Sequence, residues 1–331
     1  MTSRPVCKWY DYRGQFGFPF CKNFVNVSEL TRRSMLKRGL AAATIPALQW
    51  ERAESIALHI GGATIHVALE SDRLDLSTGV VFEWVSQAAR AVTKYFEKFP
   101  VQQASINIFV AEKRHGVFHG KSFGDRGAHS RITVGQHTTE DELREDWMMT
   151  HEMIHFGFPS VPERHHWIEE GSATYIEPIA RGRIGALSAE RVWGDLVRDM
   201  PQGLPRPSDR GLDNTDSWAS TYWGGALFCL LADVEIRKRT GNTKGLEHAF
   251  RAINHAGGTI EVNWPLERAL EIGSKATDGN TLLELYEKMG TRHMEVNLSG
   301  LWKQLGIISG GRAVSFDHDA PLASVRAAIL S

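Results

Sequence analysis

The chain has 331 residues, of which 42% are hydrophobic and 23% charged, with a formal net charge of -1 at pH 7. This balance is typical of a globular protein, and a charge so close to zero gives no reason to expect nucleic acid or an anionic membrane as a partner. The three cysteines, Cys7, Cys21 and Cys229, include no Cys-x-x-Cys pair, which argues against a disulfide framework or a cysteine zinc site.

The N-terminal segment 31-TRRSMLKRGLAAATIPALQW-50 places two pairs of basic residues ahead of an Ala-rich run. It resembles a bacterial twin-arginine export signal, and its apolar run is too short to span a bilayer as a stable helix. We therefore predict a leader over residues 1–48 and a periplasmic or secreted mature protein without a stable membrane span. The alternative is a basic amphipathic helix in a cytoplasmic protein.

The next part of the chain, residues 49–139, is predicted to form a small mixed β/α subdomain. Two alternating runs around Gly61-Gly62 indicate a hairpin over 55–70, and helical spacing predicts a helix over 77–98. A strand is predicted over 104–111, followed by a glycine-broken loop over 115–130 and a short strand over 131–135. This order favours a small mixed sheet with a helix on one face.

From Glu140 onward the periodicity is almost entirely helical. The predicted helices cover 140–158, 165–182, 188–200, 217–240, 243–256, 264–273, 280–289 and 298–305, and a late strand is predicted over 313–317. We expect an α+β fold in which the small mixed sheet packs on a mainly α-helical subdomain, residues 140–331. A functional cleft is expected at the junction of the two.

The segment 151-HEMIH-155 carries the strongest chemical signal. On a helix, His151 and His155 lie one turn apart on one face and can bind one Zn²⁺, and Glu152 is placed to take a proton from water. Asp146, Thr174 and Glu177 are candidate partners for the two histidine rings. The alternative is that both histidines lie at a helix surface or in a hydrogen-bonded core. Histidines of the preceding loop could also reach the cleft: His115, His119, His129 and His137.

A second segment, 167-WIEEGSATY-175, follows after a turn rich in Gly and Pro. Together with His-Glu-x-x-His it resembles the gluzincin metallopeptidases, whose fold is the thermolysin-like catalytic domain. The resemblance implies that Glu170, the Glu directly before Gly, is the third zinc ligand. Glu169 is the competing residue, and a solvated surface carboxylate is the simpler reading of it.

A third segment, 221-TYWGG-225, resembles a helix of the thermolysin-like aminopeptidases, especially the glycyl aminopeptidase branch. The resemblance implies that Tyr222 donates a hydrogen bond to the oxyanion of the reaction. The alternative is a tyrosine that only packs at a helix start. We expect Gly224 and Gly225 to let this helix approach a neighbour closely.

One departure from that family bears on the substrate. Its aminopeptidases hold the substrate's amino group with a Gly-x-Met-Glu-Asn segment, and the corresponding stretch here, 124-GDRGAHSRITVG-135, has no such Glu. The expected function is therefore a zinc metallopeptidase acting on peptide or protein, as an endopeptidase rather than an aminopeptidase, with strand 131–135 as an edge that pairs with substrate. Two alternatives stay open: an inactive binding protein of the same fold, and a zinc hydrolase of non-peptide amides. The sequence does not predict the oligomeric state.

Overall fold

The computed structural model describes residues 54–71, 73–215, 217–310 and 314–331. The twin-arginine segment, Cys7 and Cys21 lie outside this part of the chain, so the predicted leader stays a prediction. Cys229 is buried and unpaired in a helix.

The predicted hairpin is confirmed. Strands β1 (Glu54–Ile60) and β2 (Ala63–Leu69) pair antiparallel from Ile60↔Ala63 outward. Gly61 and Gly62 have φ angles of 59° and 80°, and a two-residue hairpin turn with both φ angles positive favours glycine at both positions.

Three further strands complete a five-stranded sheet: β3 (Gln103–Ala111), β4 (Val117–Phe123) and β5 (His129–Gly135). The strand order is β1-β2-β3-β5-β4, with β2, β3 and β5 parallel and β1 and β4 antiparallel at the two edges. The prediction of a loop over 115–130 was wrong, because it contains β4. The prediction of 131–135 as an edge strand was also wrong, because β5 lies between β3 and β4.

The 19-residue helix α1 (Thr78–Phe96), predicted over 77–98, packs against the sheet and is confirmed. The inward-facing residues of the central strands are almost completely buried, and each buried aliphatic side chain contributes about 1.5–3 kcal/mol. They are Ile65, Val67, Ile106, Ile108, Ile132 and Val134.

The remainder of the chain is mainly helical, as predicted. Its helices are α2 (Glu140–Glu145), α3 (Met148–Ile154), α4 (His166–Arg183), α5 (Ala189–Asp199), α6 (Gly225–Arg239), α7 (Leu246–His255), α8 (Leu266–Ala276), α9 (Thr281–Leu285), α10 (Leu298–Gln304) and α11 (Ala323–Ile329). Two short strands, β6 (Ile307–Ser309) and β7 (Val314–Phe316), pair antiparallel, and β7 matches the predicted late strand.

The single helix predicted over 140–158 is broken in the structure. Asp146 has an extended ψ of 135°, and its carboxylate accepts hydrogen bonds from the backbone N–H groups of Met148 and Met149, each at 3.0 Å. A short acidic side chain that binds free N–H groups favours the start of a new helix over continuation of the old one. At its other end, α3 is followed directly by a 3-10 turn, His155–Gly157, which holds His155.

Helices α4 and α6 cross at two glycines. A Cβ atom added at Gly171 would lie 2.3 Å from the Cα of Gly225, so only glycine fits on the α4 side. The expected close approach of the helix that follows Tyr222 is thereby confirmed.

The α+β class with a small mixed sheet and a helical remainder is confirmed, whereas the division into subdomains at residue 139 stays a prediction. Within the described residues, no helix combines the length and the apolarity needed to cross a bilayer.

Candidate metal centre

Three of the predicted site residues converge between α3 and α4. His151 lies on α3, His155 on the following 3-10 turn and Glu170 on α4. Glu170 Oε2 lies 3.2 Å from His151 Nε2 and 3.6 Å from His155 Nε2. One ligand atom from each residue lies within 4.8 Å of the others, and no other such group of three occurs in the part of the chain that the structure describes.

The donor set fits zinc. Two histidine nitrogens and one carboxylate oxygen are a common ligand set of catalytic zinc, which keeps a fourth position open. Zinc–ligand distances of about 2.0–2.1 Å put two ligand atoms of a tetrahedral site about 3.4 Å apart. The two distances to Glu170 Oε2 lie on either side of this value.

The charged groups of the site shift one another's pKa values. Burial would raise the pKa of Glu170, but His155, His151 and His166 hold it well below its ordinary value. Burial would likewise lower the pKa of His155, but the Glu170 carboxylate raises it to about 9. Without metal, Glu170 and His155 therefore form an ion pair at neutral pH; the carboxylate is already ionised, and metal binding would release the proton of His155, because a histidine ligand must be neutral.

Glu152 lies beside this group, with its side chain held by the sheet. It is only 7% exposed, and the hydroxyl of Ser122 on β4 lies 2.7 Å from its Oε2 and 2.8 Å from its carbonyl oxygen, within reach to donate its one hydrogen to either. Gly120, also on β4, leaves room for it, because a Cβ atom there would lie 2.8 Å from Glu152 Cγ. Strand β4 and helix α3 therefore pack closely against each other at the Glu152 carboxylate.

Tyr222 lies near His151, in a π-helical turn, Ser220–Gly224, that precedes α6. Its ring stacks on Trp218 at 5.2 Å and lies nearly parallel to the His151 ring at 6.2 Å. Burial, and after it the carboxylates of Glu170 and Glu152, raise the pKa of Tyr222 above its ordinary value. The phenol is therefore protonated and able to donate a hydrogen bond.

Glu169 points away from the three converging atoms. Its Oε1 accepts the backbone N–H of Val161 at 3.0 Å, and its Oε2 lies 2.7 Å from Nδ1 of His166. Its role is to join the turn before α4 to the first residue of that helix.

The expected partners of the histidine rings are engaged elsewhere. Asp146 binds backbone N–H groups, the Thr174 hydroxyl donates to the Glu170 carbonyl at 2.8 Å, and Glu177 accepts from Arg181 at 3.0 Å. His151 Nδ1 is buried and has no hydrogen-bond partner among the described residues. The prediction that these side chains hold the rings was wrong, because Asp146 binds the first N–H groups of α3 and Glu177 pairs one turn along its own helix.

The loop histidines have other contacts. His115 Nδ1 lies 3.6 Å from Glu142, His137 Nδ1 lies 2.7 Å from Asp75, and His129 stacks on Phe123 at 5.0 Å. His119 is exposed on β4 next to Gly120.

Sequence reasoning missed Ser122, Gly120 and His166. The first two contact Glu152 only because β4 packs against α3, which no local pattern reveals. His166 precedes Glu170 by four residues, a spacing that puts both on one helix face and that could have identified the pair.

Comparison with known proteins finds a fold shared with solved structures. No protein-family model matches the chain, and no curated protein matches its sequence. Among solved structures, an aminopeptidase N family protein from Idiomarina loihiensis matches with a TM-score of 0.62 and 13% identity. The match covers 77% of this chain and 49% of that protein, so the chain spans about half the length of this structure.

Two weaker matches are M1 zinc metallopeptidases. One, from Deinococcus radiodurans, has a TM-score of 0.46 and 14% identity over 74% of this chain and 52% of that protein. The other, a two-domain enzyme bound to L-arginine, has a TM-score of 0.45 and 16% identity over 74% and 54%.

Proposed function

We propose that this protein is a zinc-dependent metallopeptidase of the gluzincin type. The convergence of His151, His155 and Glu170, at spacings that suit a tetrahedral ligand set, carries the proposal. The fold shared with an aminopeptidase N family protein supports it. Assignment to the glycyl aminopeptidase branch rests only on the segment around Tyr222 and stays a prediction.

His151, His155 and Glu170 would hold Zn²⁺. Bound there, zinc would supply a Lewis acid that lowers the pKa of a coordinated water toward about 7 and polarises a carbonyl. Glu152 accepts a proton from the attacking water and passes it to the leaving amine. Tyr222, which stays protonated, donates a hydrogen bond to the carbonyl oxygen as negative charge develops on it.

We propose peptide or protein as the substrate, cleaved within the chain. Edge strand β4 carries no Asp or Glu that could bind a substrate's free amino group, whereas Lys121 is exposed on it. The alternative is an aminopeptidase, the activity named for the family of the Idiomarina loihiensis protein.

Two other functions remain alternatives. A binding protein of the same fold needs none of the catalytic groups, and the burial of Glu152 against Ser122 argues against it, since an ionisable carboxylate is costly to bury without a use. A zinc hydrolase of non-peptide amides would use the same Lewis-acid chemistry.

The experiment is a cleavage screen of a peptide library by the zinc-loaded protein, with products identified by mass spectrometry. Cleavage away from the peptide ends indicates an endopeptidase, and stepwise loss of the N-terminal residue indicates an aminopeptidase. Failure to cleave any peptide would contradict peptidase function and favour the two alternatives.

Glu152→Gln is the matched inactive variant. It keeps the size and the burial of the side chain but cannot accept the proton, so turnover should fall by about 100-fold or more with zinc retained. The control is Glu163→Gln, at an exposed position, which should cleave as wild type does. Full activity of Glu152→Gln would remove the general-base role.

A further inference from the structure

His166 is a residue for which the proposed function has no use. It is the first residue of α4, four positions before Glu170, so the two side chains share a helix face. Its Nε2 lies 3.3 Å from Glu170 Oε1, and its Nδ1 lies 2.7 Å from Glu169 Oε2. Both ring nitrogens thus face carboxylate oxygens.

The two oxygens of Glu170 face different partners. Oε2 points at His151 and His155, at 3.2 and 3.6 Å, whereas Oε1 points at His166. With Oε1 lying 3.3 Å from the His166 ring, Oε2 is the oxygen presented to the two histidine nitrogens. The carboxylate is thereby oriented to bind a metal through one oxygen.

The ring of His166 is itself fixed. Glu169, which binds its Nδ1, also accepts the backbone N–H of Val161 at 3.0 Å, so the turn before α4 anchors the chain of contacts. The contacts run from the Val161 backbone through Glu169 and His166 to Oε1 of Glu170.

We propose that His166 is a positioning residue for the metal ligand Glu170, held in place by Glu169. Ligating carboxylates are commonly hydrogen-bonded by neighbouring groups, and loss of such a partner typically costs 10- to 100-fold in metal affinity. The proposal rests on the proposed role of Glu170 as a ligand. The competing explanation is an ion pair between His166 and Glu169 that only stabilises the first turn of α4.

Two substitutions separate these roles. His166→Gln keeps a donor near the position of Nε2, which faces Glu170, and His166→Asn keeps one near Nδ1, which faces Glu169. The side chain is 42% exposed, so both variants and His166→Ala should fold. His255→Ala, at an exposed histidine at the end of α7, is the control.

The measurement is zinc affinity by competition with a chromophoric chelator, beside thermal unfolding of the zinc-free proteins. His166→Ala and His166→Asn should bind zinc about tenfold more weakly than wild type, and His166→Gln within about threefold of it. His255→Ala should match wild type. The zinc-free proteins should unfold at closely similar temperatures, because the effect lies in the ligand and not in the helix.

Equal or tighter zinc binding by all three His166 variants would overturn the proposal. Zinc affinity close to that of wild type in His166→Asn but not in His166→Gln would also overturn it. That result would mean that the contact of His166 with Glu169 at the helix start is the one that matters. If wild type bound no zinc, the proposed function would fall together with this inference. If wild type bound zinc and the variants did not differ from it, only the inference would fall.

Discussion

Glu152 is fixed by two separate parts of the fold. Helix α3 places it next to His151, and Ser122 on β4 donates a hydrogen bond to its carboxylate. Ser130 on β5 lies 2.7 Å from Ser122, so the hydroxyl is itself held by the neighbouring strand. A general base gains from such a donor because catalysis depends on a carboxylate that is already in place.

Ser122→Ala removes that donor and should lower kcat with little change in KM. A hydrogen bond to a charged group is worth about 1.5–3 kcal/mol, and the lower figure corresponds to about a tenfold loss of rate. Steady-state kinetics on a peptide found in the screen would measure it. Ser130→Ala, which leaves the Ser122–Glu152 bond in place, should have a smaller effect; wild-type turnover in Ser122→Ala would contradict the positioning role.

At the scale of single residues, the sequence predicted the site where the contacts are local. His151 and His155 follow from helical spacing, and the placement of Glu170 beside them was expected from its resemblance to a known segment. Ser122 lies 30 residues from Glu152 along the chain, and only tertiary packing brings the two together.

At the scale of elements, the crossing of α4 and α6 links two parts of the site. Gly171 follows the proposed ligand Glu170, and Gly225 begins the helix after the π-helical turn that holds Tyr222. The two glycines let the backbones approach so closely that even a methyl group has no room. The crossing therefore sets the distance between Glu170 and Tyr222.

Gly171→Ala should push the two helices apart. Overpacking of this kind costs about 1–3 kcal/mol of folding stability and should also reduce turnover by displacing Tyr222. Gly194→Ala is the control, because its added methyl group meets atoms no nearer than 4.0 Å and should stabilise α5 by about 0.5–1 kcal/mol. Denaturant unfolding measures both, and equal stabilities for the two variants would contradict the close crossing.

The missed strand β4 has a physical explanation. Its sequence, VFHGKSF, holds two basic residues and a glycine, so it lacks the apolar alternation of a buried strand. Such a sequence is tolerated at a sheet edge, where one side of the strand is unpaired, and the glycine is required by Glu152. By contrast, the hairpin and α1 carried local patterns strong enough to predict.

At the scale of the whole molecule, residues 1–53 lie outside the described part of the chain, and their function is predicted from sequence alone. We propose that Arg32 and Arg33 direct export by a twin-arginine pathway, as their resemblance to such a signal implies. Export would separate the peptidase from the proteins of the cytoplasm.

Replacement of both arginines by lysine should retain the protein in the cytoplasm of a bacterium that has this pathway, because receptors read such signals as addresses. Cell fractionation and immunoblotting would measure the distribution. The control replaces Arg4 and Arg13 by lysine and should leave export unchanged. Unaltered export of the Arg32 and Arg33 variant, or a cytoplasmic wild type, would contradict the assignment.

The most direct test of the central claim is the zinc content of the purified protein, measured by elemental analysis beside two variants. We predict about one zinc per wild-type chain, loss of that zinc in Glu170→Ala, and full retention in Glu163→Ala, whose carboxylate is exposed in the turn before the same helix. A folded, zinc-supplemented wild type without zinc, or a Glu170→Ala variant that keeps it, would contradict the three-ligand site.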